Sequence, residues 1–304
     1  MAKMLDCLGL GIAPADILLQ IPAFPKPGAK IDAIDMTIQG GGPIPTAMVA
    51  LSRLGMKAGL IAAVGQDIFG EFVINELKRE RVQTELMAVK KQTTAVAVGW
   101  VEKGSGRRTI ALDLQIHVSP RDIDIAKLPV CRAVHLDGRD MPACLKLARW
   151  ARKKHISIIF DIGSMRNDVS EILPLVDHLV CAEDFALPFT GRRKPKEAIK
   201  SLQTICYGTI LVTSGIRGSM GIENENEIIH QKAFIIPVVD TTGAGDVYHG
   251  AYIFGLLRGW DLRRRMEFAS AAAAIKCTRP GGRSGIPNYN QVIDFLKKGH
   301  SIYA

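Results

Sequence analysis

Aromatic residues are scarce, 6% of a 304-residue chain. No apolar run approaches the roughly 20 residues a membrane-spanning helix needs, so a bilayer-embedded protein is excluded. The six cysteines (Cys7, Cys131, Cys144, Cys181, Cys206, Cys277) include no C-x-x-C pair. They read as buried thiols in a reducing cytoplasm, not as a zinc or disulfide framework. There is no Gly-x-x-x-x-Gly-Lys-[Ser/Thr] loop, which removes the P-loop nucleotide enzymes. Gly138-Arg139-Asp140 lacks the asparagine that a protein-kinase catalytic loop would carry. His135, His178 and His249 stand alone, without metal-ligand spacing, and suit packing or hydrogen bonding. The formal charge of +9 comes from dispersed Lys and Arg, with short clusters only at Arg192–Lys196 and Arg263–Arg265. A solvated surface plus a polyanionic small substrate explains it better than nucleic acid. At the amino terminus, Asp6 interrupts the apolar region a signal peptide requires, so the expected location is the cytoplasm.

What is present is enough for a sizeable core: 47% of residues are hydrophobic and 23% charged. The length allows about two domains or one large α/β domain. From residue 133 onward, strand and helix patterns alternate, which predicts a parallel sheet wrapped by helices. Polar or glycine residues recur just after the strands, at Asp137-Gly138, Asp161-x-Gly163 and Thr213-Ser214-Gly215. That is the sheet edge where such folds bind ligands. Residues 17–40, broken by Pro22, Pro25 and Pro27, and the hairpin pattern over 93–113 predict a small separate β piece. Gly9-x-Gly11 resembles a dinucleotide fingerprint, but Pro14 occupies its third glycine position. An oxidoreductase reading would rest on that pair alone.

The most informative stretch is Asp240-Thr241-Thr242-Gly243-Ala244-Gly245-Asp246. Ile235 to Val239 before it reads as a buried strand. Val247, Ala251, Phe254 and Leu257 after it recur at helical spacing. A glycine-rich turn opening a helix directs free N–H groups at one point, the positive end of the helix dipole. An anion belongs there. Asp246 in the first helical turn would repel that anion unless it has a chemical task, and a base that deprotonates an attacking hydroxyl is one. A plain first-turn acid is the alternative.

These residues resemble the carboxy-terminal signature of the ribokinase family of carbohydrate kinases, the PfkB type. Gly41-Gly42, a helix ending Arg53-Leu54-Gly55, and Gly65-x-Asp67-x-Phe69-Gly70 resemble its amino-terminal signature. The resemblance implies an α/β fold, ribokinase-like, with a mainly parallel central sheet flanked by helices. The main domain would comprise residues 1–16, 41–92 and 114–304, and a β lid 17–40 with 93–113. It implies ATP-dependent phosphorylation of a sugar hydroxyl, with ATP and Mg²⁺ as cofactors. Asp246 would be the base, with Gly243, Ala244 and Gly245 as the anion hole. Asp16, Gly41, Gly42, Thr46 and Asp137 would contact the sugar, and Arg107 at the lid turn the sugar or phosphate. Thr213, Gly215, Gly218, Ser270 and Gly282 would line the nucleotide site. Asp240 and Thr242 would hold a monovalent cation such as K⁺, and Glu183 would reach magnesium through water. A homodimer through the lid is a further implied arrangement.

The chain departs from the family pattern at Thr46, where asparagine is common, at Ala182-Glu183-Asp184-Phe185 in place of Asn-x-x-Glu, and at Ser270. A nucleoside kinase of the same family would need an aromatic base slot near the lid, where aromatics are few. A non-catalytic sensor on this fold would keep the glycines and lose the base.

Overall fold

The chain enters through a strand, β1 (Leu5–Leu10), of which all but one residue is buried. The computed structural model describes residues 4–224 and 227–299; Met1–Lys3 of the amino-terminal stretch read above lie outside it. β2 (Ala15–Ile21) and β3 (Asp35–Gly40) follow, then helix α1 (Pro43–Arg53), begun by a proline whose missing N–H costs nothing in the first turn. Two short strands follow, β4 (Ala58–Ile61) and β5 (Ala63–Gly65). Next come α2 (Ile68–Arg79), β6 (Ala88–Lys90) and the hairpin β7 (Val96–Glu102) with β8 (Arg108–Asp113).

Strand–helix alternation then takes over, as its periodicity requires. It runs β9 (Cys131–Leu136), α3 (Met141–Lys153), β10 (Ser157–Ile162), β11 (His178–Ala182), α4 (Glu183–Thr190), α5 (Pro195–Leu202) and β12 (Thr209–Thr213). Strands β13 (Ser219–Ile222) and β14 (Ile229–Gln231) precede α6 (Ala244–Leu257), α7 (Leu262–Lys276) and α8 (Tyr289–Lys297). No helix among the described residues is long and apolar enough to cross a membrane.

The eight-stranded sheet has the order β14-β13-β12-β11-β10-β9-β1-β4, parallel except for β13, which pairs antiparallel with both of its neighbours. From β1 the chain moves to one side to lay down β4 and to the other to lay down β9. The crevice between the carboxyl ends of β1 and β9 is therefore a switch point, where α/β sheets open a ligand site. Gly9 and Gly11 serve packing there: a Cβ on Gly11 would meet the Ile44 side chain at 2.6 Å and Asp137 Oδ2 at 2.5 Å. They let α1 lie on β1, which disposes of the dinucleotide fingerprint. On the other side of α1, Gly250 of α6 approaches Ala47 so closely that a Cβ would sit 2.6 Å from its carbonyl.

A second sheet, β3-β2-β7-β8, stands outside the first. Asp16 belongs to its first strand, not to a loop after β1. Asp67 ties the start of α2 to the segment leading into β7. Its carboxylate caps α2 at the Gly70 amide and accepts from both the amide and the hydroxyl of Thr94. Burial opposes that charge, but the bonds from Thr94 and Gly70 hold the carboxyl below its usual range.

One expectation fails. Residues 235–239 form no strand, and Ile235 and Pro237 are exposed. Pro237 has no N–H to give a sheet ladder. The amides of Val239 and Asp240 both turn to the Cys277 carbonyl at the end of α7, so the segment is laid along that helix instead.

Candidate active site

Helix α6 begins at Ala244, with Gly243 before it at φ 74°, a left-handed conformation suited to glycine. A Cβ at Gly243 would lie 2.8 Å from the Gly282 carbonyl, so the turn is pinned against the closing segment of the chain. Gly245 has open space around it. The Ala244 amide bonds back to Thr241 O at 3.2 Å. The amides of Gly245 and Asp246, within the first turn, have no intrahelical acceptor. The turn thus presents N–H groups to an open space, with the carboxylate of Asp246 beside them.

Asp246 is half-buried, and its pKa is raised to about 6, first by burial and then by the neighbouring Asp161 carboxylate. His249, Arg108 and Lys276 act in the opposite direction and favour the charged form. Beneath it the fold joins residues that stand alone in sequence. His249 Nδ1 forms an ion pair with Asp161 at 3.0 Å, and its Nε2 faces the Val180 carbonyl at 3.2 Å. Burial works against charge on His249, but Asp161 raises its pKa above the ordinary value. The His135 ring lies tilted against that of His249, 5.6 Å between centroids, and burial together with His249 lowers its pKa to about 3. The spacing of these histidines gave no hint of this cluster, because its members come from three different elements.

Across the floor lies Asp16, 8% exposed, with its pKa raised to about 7 mainly by burial and opposed by Arg283 and Gln39. The charge of Asp246 also acts on it. A Cβ at Gly41 would fall on the Asp16 carboxylate, and one at Gly42, φ 88°, would fall on the Ile12 carbonyl. The glycine pair is therefore fixed by close approach. Thr46 is buried in the first turn of α1, its amide bonded to Gly42 O at 3.1 Å. Asp137, at the switch point, accepts from the Ile12 amide at 3.3 Å, and burial with the Asp161 charge raises its pKa well above the carboxylate range. Arg283, buried and absent from the sequence reading, donates to Gly41 O at 3.0 Å and stands by Glu76.

On the far side of the turn is an apolar cleft. Thr213, Gly215, Gly218 and Ser270 line it, together with Ile216, Phe234, Tyr248, Ala274 and Gly245. Gly282 stands against the turn and Gln39 and does not line the cleft. Glu183 pairs with Arg217 through one oxygen, while the other is buried with no partner among the described residues. An orphaned carboxylate oxygen fits a magnesium-bound water. Arg107 turns away from the site into an exposed pair with Glu102 at 2.8 Å. Its neighbour Arg108 instead donates to Thr241 Oγ1 at 3.1 Å. The Asp240 carboxylate accepts from the amides of Thr242 at 2.7 Å and Gly281 at 2.8 Å, and its carbonyl from Lys276 Nζ at 2.7 Å.

An apolar cleft leading to a glycine turn, with a raised carboxyl on each side of the space beyond, defines a class: a phosphotransferase that hands a nucleotide phosphoryl group to a hydroxyl. Comparison with known proteins gives the family. The pattern of the pfkB family carbohydrate kinases matches residues 5–288, and the chain belongs to that family. It is 27% identical over 300 residues to the ribokinase of Haemophilus influenzae, spanning 95% of this chain and 97% of the relative. It is also 27% identical over 294 residues to the 5-dehydro-2-deoxygluconokinase of Clostridium perfringens, spanning 87% and 85%. The crystal structure of Thermotoga maritima ribokinase superposes with a TM-score of 0.83 at 26% identity, covering 96% of this chain and 99% of that one. An Escherichia coli structure in complex with ATP and Mg²⁺ shares the fold at 22% identity, with a TM-score of 0.83 and coverage of 96% and 99%.

Proposed function

We propose that this sugar kinase transfers the terminal phosphoryl group of ATP to a hydroxyl of a sugar held between Asp16 and Asp246. The observation that carries the reading is the glycine turn opening α6, which lines an apolar cleft through Gly245 and carries the Asp246 carboxyl in its first turn, with the buried Asp16 held against Gly41 and electrostatically coupled to Asp246. Asp246 takes the proton from the acceptor hydroxyl as its oxygen bonds to phosphorus and the bond to the ADP oxygen breaks. A pKa near 6 leaves it charged at neutral pH yet basic enough for that task. The amides of Gly245 and Asp246 meet the charge gathered on the transferring group.

Asp16 orients the sugar hydroxyls, with the Gly41–Gly42 backbone, Thr46 and Asp137 completing that side. Thr213, Gly215, Gly218 and Ser270 hold the nucleotide. Glu183 would hold magnesium through water, and magnesium supplies neutralisation of phosphate charge. A potassium ion at Asp240 and Thr242 would have to compete with the Lys276 ammonium, which already sits on the Asp240 carbonyl, while each Asp240 carboxylate oxygen already accepts one amide hydrogen bond.

A nucleoside base slot in the lid finds no support, because Trp100 lies on the outer lid face, 41% exposed. That face also carries Met36, Ile38 and Val98, brought together by the pairings of Ile17 and Leu19 with β3 and β7. We propose that a second copy covers it.

The test is a panel of ketoses, aldoses, sugar phosphates and nucleosides, screened by thermal shift with and without a nucleotide analogue and then by ADP release. A ligand at about 100 times its dissociation constant stabilises by about 2.7 kcal/mol, enough to register. A panel in which nucleosides alone register and turn over would replace the sugar-kinase reading.

A further inference from the structure

The last residue of α7 is a lysine that points inward. Lys276 is 0% exposed, although a lysine stem normally lets the ammonium reach water. Its Nζ donates to the Asp240 carbonyl at 2.7 Å, immediately before the glycine turn. The same aspartate uses its two carboxylate oxygens to fix the amides of Thr242 and Gly281. The turn and the closing segment that pins Gly243 are thus both anchored on one residue, and that residue is held by an ammonium. Asp240 and Asp246 are the carboxylates whose charge Lys276 feels, and Asp246 feels the ammonium in return. Burial disfavours the charge on Lys276, and these two acids oppose that effect. The Thr242 hydroxyl beside them is buried without a partner among the described residues.

A potassium ion would need several oxygen lone pairs in this space. Each Asp240 oxygen already accepts one hydrogen bond, which leaves it only part of its accepting capacity, and a compact point charge on a covalent stem is already in place beside them. We propose that the Lys276 ammonium is a built-in monovalent cation behind the phosphoryl-binding turn, so that turnover requires no dissociable potassium. This rests on the reading of Asp246 and its turn as the transfer site. Lys276 is a positioning residue: it reaches the reacting atoms only through Asp240, the turn and its field on Asp246.

The test compares chloride salts of potassium, sodium, ammonium and tetramethylammonium at equal ionic strength. One arm measures ADP release with the best acceptor from the panel; the other measures the thermal midpoint of the ligand-free protein. Wild-type turnover should stay within about twofold across the salts, because at equal ionic strength they screen charge alike, and its midpoint should not favour potassium. Lys276→Ala should lose about 100-fold in tetramethylammonium, as a displaced turn does. It should recover in part with potassium, ammonium or added methylammonium, and its midpoint should rise with the same cations. Simple loss of packing would not give that cation selectivity.

Lys276→Met, which keeps the stem, should show the loss without the rescue. A wild type that potassium activates by about tenfold or more would overturn the proposal, since a misplaced turn gains that much when set right. So would a folded Lys276→Ala that turns over normally in tetramethylammonium. If neither variant folds, the wild-type salt series decides. A wild type that phosphorylates nothing would count against the site reading, and a potassium-selective rise in its thermal midpoint would still overturn this proposal.

Discussion

In the proposed mechanism Asp246 is the general base. Asp246→Asn keeps its size and its place in the first turn of α6 but cannot accept a proton at neutral pH. Turnover should fall by about 10²–10⁴ while ATP affinity holds or rises, because a negative charge beside the phosphates is gone. In the wild type, the acceptor kcat/KM should fall as pH drops through about 6, where the carboxyl takes up its proton. Equal turnover in the two proteins would remove Asp246 from the mechanism. Asp16 gives a second prediction, on stability. Its pKa is about 7 in the fold against an ordinary 3.8, so the native state holds this proton more tightly than the unfolded chain. The stabilisation is complete below about pH 4 and is lost as pH rises through about 7, up to about 4 kcal/mol. Asp16→Asn should flatten thermal stability across that window and raise the midpoint at pH 8, while acceptor KM climbs by about tenfold or more as charge-assisted bonds disappear. A variant as pH-sensitive as the wild type, with unchanged KM, would refute both roles.

Among the elements, the β7–β8 hairpin shows how neighbouring arginines part company. Arg107 precedes β8 and folds back into the pair with Glu102 at the hairpin turn, whereas Arg108 begins the strand and meets Thr241 beside the glycine turn. The Thr241 hydroxyl also donates to Gly106 O at 3.2 Å, so the hairpin tip docks on the segment that carries the active site. Arg107→Ala removes a surface pair worth about 0–1 kcal/mol and should leave turnover near normal. Arg108→Ala should cost about tenfold or more in kcat, because it loosens the docked tip and withdraws a positive charge from Asp246. The reverse order of effects in steady-state kinetics would show that the hairpin does not engage through Thr241.

For the molecule as a whole, the outer face of the lid sheet is the proposed contact with a second copy. Four large apolar side chains standing together in water favour a covering partner, and a second copy of the same face satisfies a two-fold arrangement. Light scattering after gel filtration should give a dimer for the wild type and a monomer for Trp100→Lys, with thermal stability little changed at an exposed site. A monomeric wild type would leave that face without its proposed partner.

Much of this protein is written in its sequence. Alternation of apolar strands and helices predicts the parallel sheet, and Thr-Thr-Gly-Ala-Gly-Asp before an apolar helix predicts the turn and its acid, because periodicity and turn chemistry are local. Locality also explains the misread strand at 235–239: its composition suits a buried strand, but Pro237 and the Cys277 carbonyl decided otherwise. The tertiary structure alone decided which charges share the site. Arg283 reaches the Gly41 carbonyl across 242 residues and Lys276 reaches that of Asp240 across 36, and the Asp161–His249 pair joins two elements. A buried lysine at the end of an alanine-rich helix is a signal that sequence could have offered. Where its ammonium goes depends on how α7 packs against the 239–241 segment, and so does its electrostatic reach to Asp246.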